Sequence, residues 1–267
     1  MKTIFITGTS SGLGKAAVHL FHSKGWNVIA TMRNINKAKD FEGMERVTVL
    51  ALDITNPGQI KTAVDAAIAM GDIDVVLNNA AYGAIGPLES VTEESLLMQI
   101  NTNLLGAIRV TQAFVPHFRT KKSGLFINIT SIAALVTFPL DSLYHTVKWG
   151  LQGFTEGMSY ELAPFGIQIK TVAPGFIKTD FGSSMVISSA EPYKKMLDTY
   201  LSKVSHPDLM KAGSDAEDIV AVVYEAATDG KDQVHYVAGN DAKQMYERRL
   251  QIGAEESRKE MAELFLQ

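Results

Sequence analysis

Eight residues near the start of the chain, Thr7-Gly8-Thr9-Ser10-Ser11-Gly12-Leu13-Gly14, constrain its fold more than any others. They follow Thr3-Ile4-Phe5-Ile6, an apolar run that reads as a buried strand. They precede Lys15 to Lys24, where Ala16, Ala17, Leu20 and Phe21 recur at helical spacing. A glycine triplet alone also occurs in ordinary strand-to-helix turns. Between a strand and a helix it has a further use. Glycine permits the tight turn and lets the backbone approach a pyrophosphate, while the helix N-terminus attracts the anion.

Six more apolar runs follow, at Trp26–Thr31, Val47–Leu52, Ile73–Leu77, Leu125–Ile129, Ile167–Val172 and Val234–Val237, with helical patterns in most of the intervals. The alternation predicts an α/β fold, a Rossmann-like doubly wound parallel sheet of about seven strands with helices on both faces. The second strand ends in Thr31-Met32-Arg33-Asn34, with an arginine where many dinucleotide folds place a carboxylate for the ribose hydroxyl. Arg33 suits a 2′-phosphate, so NADP(H) is favoured over NAD(H). A plain surface arginine is the alternative. The third strand ends at Asp53, and the fourth leads into the small residues Asn78-Asn79-Ala80-Ala81, which fit a ligand lying across the sheet.

The chemistry concentrates between Ser131 and Lys148. Tyr144 and Lys148 are four apart and share one helix face. Ser131 follows the strand Leu125–Ile129, where a strand end and a helix face can meet. A tyrosine of pKa about 10 is a poor base near neutrality, and a neighbouring ammonium would lower that value. Such a phenol can exchange a proton with an alcohol or carbonyl oxygen that a serine hydroxyl also holds. The same Tyr-x-x-x-Lys pair occurs on ordinary exposed helix faces. Upstream, Thr92 to Phe118 reads as a helix with Asn101, Asn103 and Gly106 inside it, which predicts a local kink. The helix expected from Ser142 to Pro164 holds Gly150, Gly153 and Gly157. Each costs about 1 kcal/mol in a helix interior, which points to close packing by another helix, from this chain or a second subunit.

Composition removes other classes. The chain has 267 residues, 46% of them hydrophobic, and a net charge of −4, so nothing suggests a nucleic-acid partner. It contains no cysteine, which excludes disulfides, thiol nucleophiles and thiolate-bound metals. The six histidines, at 19, 22, 117, 145, 206 and 235, are scattered, and no metal site is expected. No apolar run reaches the roughly 18 residues of a membrane span. A soluble cytoplasmic protein without a membrane partner is expected.

One domain is expected over 1–267. Within it, 180–213 loses strand rhythm and mixes Phe181, Met185, Val186, Ile187, Met196, Leu197 and Tyr200 with serines. It reads as one or two short helices forming a lid over a pocket. The tail from about 241 reads as polar and helical, an exposed end or a subunit contact.

Over about residues 1–240 the chain resembles the short-chain dehydrogenase/reductase family in its single-domain form. Gly8, Gly12 and Gly14 match its Thr-Gly-x-x-x-Gly-x-Gly turn, and Asn78-Asn79-Ala80 its Asn-Asn-Ala-Gly motif, with Ala81 in place of the glycine. Asn103, Ser131, Tyr144 and Lys148 match its catalytic residues. Pro174-Gly175 and Thr179 match the segment that holds the nicotinamide carboxamide, Asp53 the aspartate near the adenine, and Arg33 the NADP-type position. The resemblance implies nucleotide contacts at Gly8, Thr9, Ser11, Gly12, Leu13, Gly14, Arg33, Asp53, Ile54, Asn79, Ala80, Ala81, Tyr144, Lys148, Pro174, Gly175, Ile177 and Thr179. Ser11 departs from the pattern, because many NADP-preferring members carry a basic residue there.

What the resemblance implies is an oxidoreductase that interconverts a carbonyl and an alcohol by hydride transfer. Tyr144 would be the acid/base and Lys148 would lower its pKa and hold the nicotinamide ribose. Ser131 would fix the substrate oxygen, and Asn103 would support a proton-relaying water. A small to medium apolar substrate is expected, against a wall of Tyr82, Phe138, Pro139, Leu140, Phe176, Met185, Val186 and Ile187. A homodimer or homotetramer is implied. The alternative from another class is a non-catalytic NADPH-binding sensor or scaffold, which would have no use for the four catalytic matches.

Overall fold

The computed structural model describes residues 1–179 and 185–267. The chain runs β1 (Thr3–Thr7), α1 (Gly12–Ser23), β2 (Asn27–Met32), β3 (Val47–Ala51), α2 (Pro57–Ala69), β4 (Val75–Asn78), β5 (Ala84–Ile85), α3 (Glu93–Ile100), α4 (Ala107–Lys121) and β6 (Gly124–Ile129). It continues with α5 (Ser142–Leu162), β7 (Ile167–Pro174), β8 (Val186–Ile187), α6 (Lys194–Val204), α7 (Pro207–Ala212), α8 (Ala216–Thr228), β9 (His235–Ala238) and α9 (Asn240–Leu266).

Seven strands form one parallel sheet in the order β3-β2-β1-β4-β6-β7-β9. The expected doubly wound sheet is present. Its central strands β1, β4 and β6 are largely apolar and buried because both faces are covered. Alternate residues feed opposite cores. Ile4, Ile6, Val75, Leu77, Leu125 and Ile127 pack with α1 and α8, while Phe5, Val76 and Phe126 pack with α2, α4 and α5. On the second face Phe5, Phe114, Phe118 and Phe126 form a chain of ring contacts with centroids 5.0, 6.1 and 4.8 Å apart. The order of strands reverses between β1 and β4, and a ligand binds beyond the C-terminal ends of the strands at such a point.

Four local features refine the sequence reading. The irregular helix of Thr92 to Phe118 is two helices joined by a π turn, Asn101–Gly106, so the expected kink is a single wide turn. Val186 and Ile187, expected on the substrate wall, lie in a short strand. They form β8, pair in parallel with β5, and are 41% and 49% exposed. Of the α5 glycines only Gly150 meets another element, since a Cβ there would lie 3.3 Å from the Leu104 side chain. Gly153 and Gly157 face open space, so among the described residues no helix packs on them.

The fourth feature corrects the reading of the tail. It is no exposed end. α9 breaks at Gly253 (φ 82°, ψ 169°), and the Arg248 guanidinium bonds the Glu260 carboxylate across the break. This return places Phe265, 1% exposed, against Phe138 and Tyr200, with ring centroids 5.8 and 5.7 Å apart. Few apolar residues were visible in the tail because one buried ring and a few partners suffice to dock it. Residues 180–184, the first part of the expected lid, lie outside the described residues. The rest holds β8, α6 and α7.

Candidate active site

The glycine turn closes tightly on β4. Gly8 and Gly12 have φ of 72° and 52°, in the left-handed region that favours glycine. A Cβ on Gly14 would lie 2.2 Å from the Gly8 carbonyl oxygen, and one on Gly8 would lie 2.7 Å from Ala80 Cα. Asn79 secures this contact, donating from Nδ2 to the carbonyls of Thr7 (2.9 Å) and Gly8 (3.0 Å). The Thr7 hydroxyl accepts from the Asn79 and Ala80 N–H groups. Thr9 ties the turn to β2 through the Thr31 carbonyl. At the start of α1 the Ser11 side chain makes no cap hydrogen bond to the N–H groups of the first turn.

Other residues assigned from sequence gather at the same edge. Arg33 is exposed one residue past β2. The Asp53 carboxylate accepts from the Thr55 N–H (2.9 Å) and hydroxyl (2.7 Å). Pro174 ends β7, Ile177 forms an isolated bridge with Ser214, and the Thr179 side chain stands 3.7 Å from where a Gly12 Cβ would be. Ala81 is exposed, whereas Leu13 and Ile54 are buried, which leaves their side chains to packing. This cradle fits a dinucleotide: backbone approach at Gly8 to Gly14, an uncapped helix start for the pyrophosphate, and a cation at the end of β2.

The four catalytic candidates sit on β6, α5 and the π turn. Ser131 lies just beyond β6 and caps a short 3-10 turn, its Oγ accepting from the Ala133 N–H at 3.1 Å. Its side chain lies near enough to the Tyr144 phenol to favour the ionised form. Tyr144 is half-buried at the start of α5. One turn on, Lys148 is 3% exposed, its Nζ donating to the Ile129 carbonyl at 2.9 Å and lying 5.6 Å from the Tyr144 ring centre. Asn103 uses its side chain to clamp a loop: its Oδ1 accepts from the Tyr82 N–H (2.9 Å) and its Nδ2 donates to the Tyr82 carbonyl (2.6 Å).

Electrostatics reverse one expectation. The Tyr144 phenol is not lowered. Burial pushes it well above its ordinary value, the nearby Ser131 side chain opposes this, and the Asp141 charge adds to it. Burial also pushes Lys148 down to about 8. Desolvation is the largest cause at both groups, and Tyr144 keeps its proton at neutral pH.

Three supporting residues escaped the sequence reading. His145, beside Tyr144 but on another helix face, accepts from the Phe138 N–H at 2.8 Å and meets the Ala133 carbonyl at 2.7 Å. Asp241, at the start of α9, accepts from the Phe176 N–H at 2.7 Å beside Gly175. Asp141 receives the Tyr200 hydroxyl at 3.1 Å. Asp241 and Asp141 join segments remote in sequence, His145 holds the loop just before its own helix, and no spacing pattern announces such contacts. Among the described residues no group of three or more His, Asp or Glu could hold a metal ion, and no helix is long and apolar enough to cross a membrane.

Residues 2–188 match the family model described as short chain dehydrogenase. An uncharacterized oxidoreductase of Schizosaccharomyces pombe is 37% identical over 213 residues, covering 78% of this chain and 89% of the relative. The crystal structure of a short-chain dehydrogenase from Streptomyces avermitilis superposes with a TM-score of 0.84 at 28% identity, covering 98% of this chain and 95% of the other. The structure of ElxO with NADP bound does so with a TM-score of 0.76 at 28% identity, covering 91% and 99%.

Proposed function

Since the chain belongs to the short-chain dehydrogenase family of oxidoreductases, we propose that it is an NADP(H)-dependent enzyme reducing a carbonyl group on a small to medium apolar substrate, with Tyr144 as the proton donor. The observation that carries this reading is the buried Lys148 ammonium 5.6 Å from the centre of the Tyr144 ring, with Ser131 just beyond the neighbouring strand β6. Bound NADPH supplies the hydride. The residues supply the rest. Ser131 and Tyr144 hold the carbonyl oxygen with two hydroxyl groups, and Tyr144 passes its proton to that oxygen as negative charge develops there. A phenol that burial keeps protonated suits this direction. Lys148 holds the nicotinamide ribose, and Asn103 keeps the Tyr82 loop beside the site.

Arg33 supports the choice of NADP(H), because no carboxylate stands at the end of β2 to repel a 2′-phosphate. The similar structure of ElxO, with NADP bound, points the same way. Phe138, Leu140 and Met185 pack with Tyr144 in one apolar cluster, which suits an apolar substrate. The domain is one unit over 1–267, with the segment after 180 as lid. It acts as a homodimer or homotetramer, to which exposed Trp149 and Phe165 and the open Gly153 and Gly157 lend support.

The test is a titration with NADPH and NADH, followed by absorbance loss over a panel of ketones and aldehydes. Tight NADPH binding with turnover is expected. The Arg33→Glu variant should lose about tenfold or more in NADPH affinity and little in NADH affinity. Equal affinity for both cofactors in the wild type would overturn the NADP(H) reading. Tight binding with no turnover on any carbonyl would overturn the enzymatic one.

A further inference from the structure

Asp141 occupies the N-cap position of α5, three residues before Tyr144, yet its side chain does not cap that helix. It turns to α6, where one carboxyl oxygen accepts the 3.1 Å hydrogen bond from Tyr200. The other oxygen, Oδ1, is buried without a hydrogen-bond partner. Asp141 is 8% exposed and Tyr200 5%. The surroundings are apolar: Tyr200 packs with Phe138, Phe265, Leu140 and Tyr144 itself. Helix on helix contacts of this kind are made at lower cost by aliphatic side chains, and a buried carboxyl with one unsatisfied oxygen is a poor fastener. Its placement joins three pieces: the first turn of the catalytic helix, the helix α6 after the lid segment, and through Phe265 the returning end of α9.

We propose that Asp141 and Tyr200 are positioning residues for carbonyl reduction: their hydrogen bond fastens α6 and α9 to the start of α5, and so sets the substrate-side wall against Tyr144. The proposal rests on the reading of Tyr144 as the proton donor. Burial raises the Asp141 carboxyl to about 7. The groups around it are Tyr144 and neutral His145 on α5, Tyr200 on α6 and Tyr246 on α9, while β5 offers only Ala84 and Ile85. Lys148, on the same helix, directs its ammonium to the Ile129 carbonyl. With no cation among the described residues compensating the carboxylate, the closed arrangement is most stable where Asp141 is neutral in both states. It weakens as the pH rises from the ordinary carboxyl range to about 7 and changes no further above that, because the raised pKa belongs to the closed state and an opened, hydrated carboxyl returns to its ordinary value.

The experiment compares the wild type with Tyr200→Phe, Asp141→Leu and Asp141→Asn. It reads kcat and KM for the best carbonyl of the panel from the ordinary carboxyl range to about pH 9, NADPH affinity, and amide hydrogen exchange in α6. Tyr200→Phe and Asp141→Leu should raise KM about tenfold, leave NADPH affinity unchanged and speed exchange in α6. Asp141→Asn keeps an acceptor for Tyr200 and should show the low-pH wild-type KM throughout, without the rise in KM that the wild type completes by about pH 7. Wild-type KM and exchange in Tyr200→Phe, or an unchanged pH profile in Asp141→Asn, would overturn the proposal. If the wild type reduces no carbonyl, the functional reading fails, and exchange in α6 decides the fastening by itself: faster in Tyr200→Phe supports it, unchanged refutes it.

Discussion

His145 accepts the Phe138 N–H at 2.8 Å, and its other ring nitrogen meets the Ala133 carbonyl at 2.7 Å. A side chain of α5 thus holds both ends of the loop that follows Ser131. Burial keeps the imidazole neutral by lowering its pKa, against the two backbone contacts. A histidine depressed in the folded state contributes stability that is complete above its unfolded pKa of about 6.5 and declines as the pH falls below it. Replacing His145 with Ala should cost about 2 kcal/mol, by leaving buried backbone groups unpaired, and should flatten that acid limb. Denaturant unfolding at a series of pH values measures both.

Tyr144→Phe removes the phenolic hydroxyl near Ser131 while keeping the ring that packs in the substrate-side cluster. Turnover should fall by about 10²- to 10⁴-fold with NADPH affinity unchanged. Steady-state kinetics beside a fluorescence titration separate the two effects. Retained turnover would remove Tyr144 from the reaction.

Gly14→Ala tests the cradle. The added methyl would stand 2.2 Å from the Gly8 carbonyl oxygen and 2.5 Å from the Asn79 amide, both fixed by hydrogen bonds. The turn must open to admit it. NADPH affinity should drop by about a hundredfold, close to 2.7 kcal/mol. Equilibrium binding measures the loss, and an unchanged Kd would mean that the turn is not the phosphate cradle.

Phe265→Ala tests the docked tail. Removing a ring that is 1% exposed should cost about 3 kcal/mol and lower the Tm by roughly 10 °C. A thermal melt reads this directly. An unchanged Tm would return the tail to the exposed end that its polar composition suggested.

Much of the fold was legible because its signals are local. A parallel strand must be apolar on both faces, so Ile4-Phe5-Ile6 and Leu125–Ile129 announce themselves. The turn at Gly8 to Gly14 shows in the glycines that tight packing requires. The kink at Asn101–Gly106 shows in residues that helices disfavour. The β5–β8 pair was not legible, because two-residue strands carry no periodicity. Nor was the open face at Gly153 and Gly157, since a glycine stripe states that something small is tolerated without stating what lies opposite.

By itself the sequence determined the seven-stranded parallel sheet, the glycine cradle and the four catalytic candidates, because periodicity, turn chemistry and side-chain type act over short stretches. Only the tertiary structure decided that Tyr144 holds its proton, that α9 returns to pack Phe265 on Phe138, and that Asp141 reaches Tyr200. The physical reason is that these depend on burial and on contacts between segments far apart in the chain. Desolvation can outweigh a neighbouring charge, and no residue spacing reports how deeply a group will be buried.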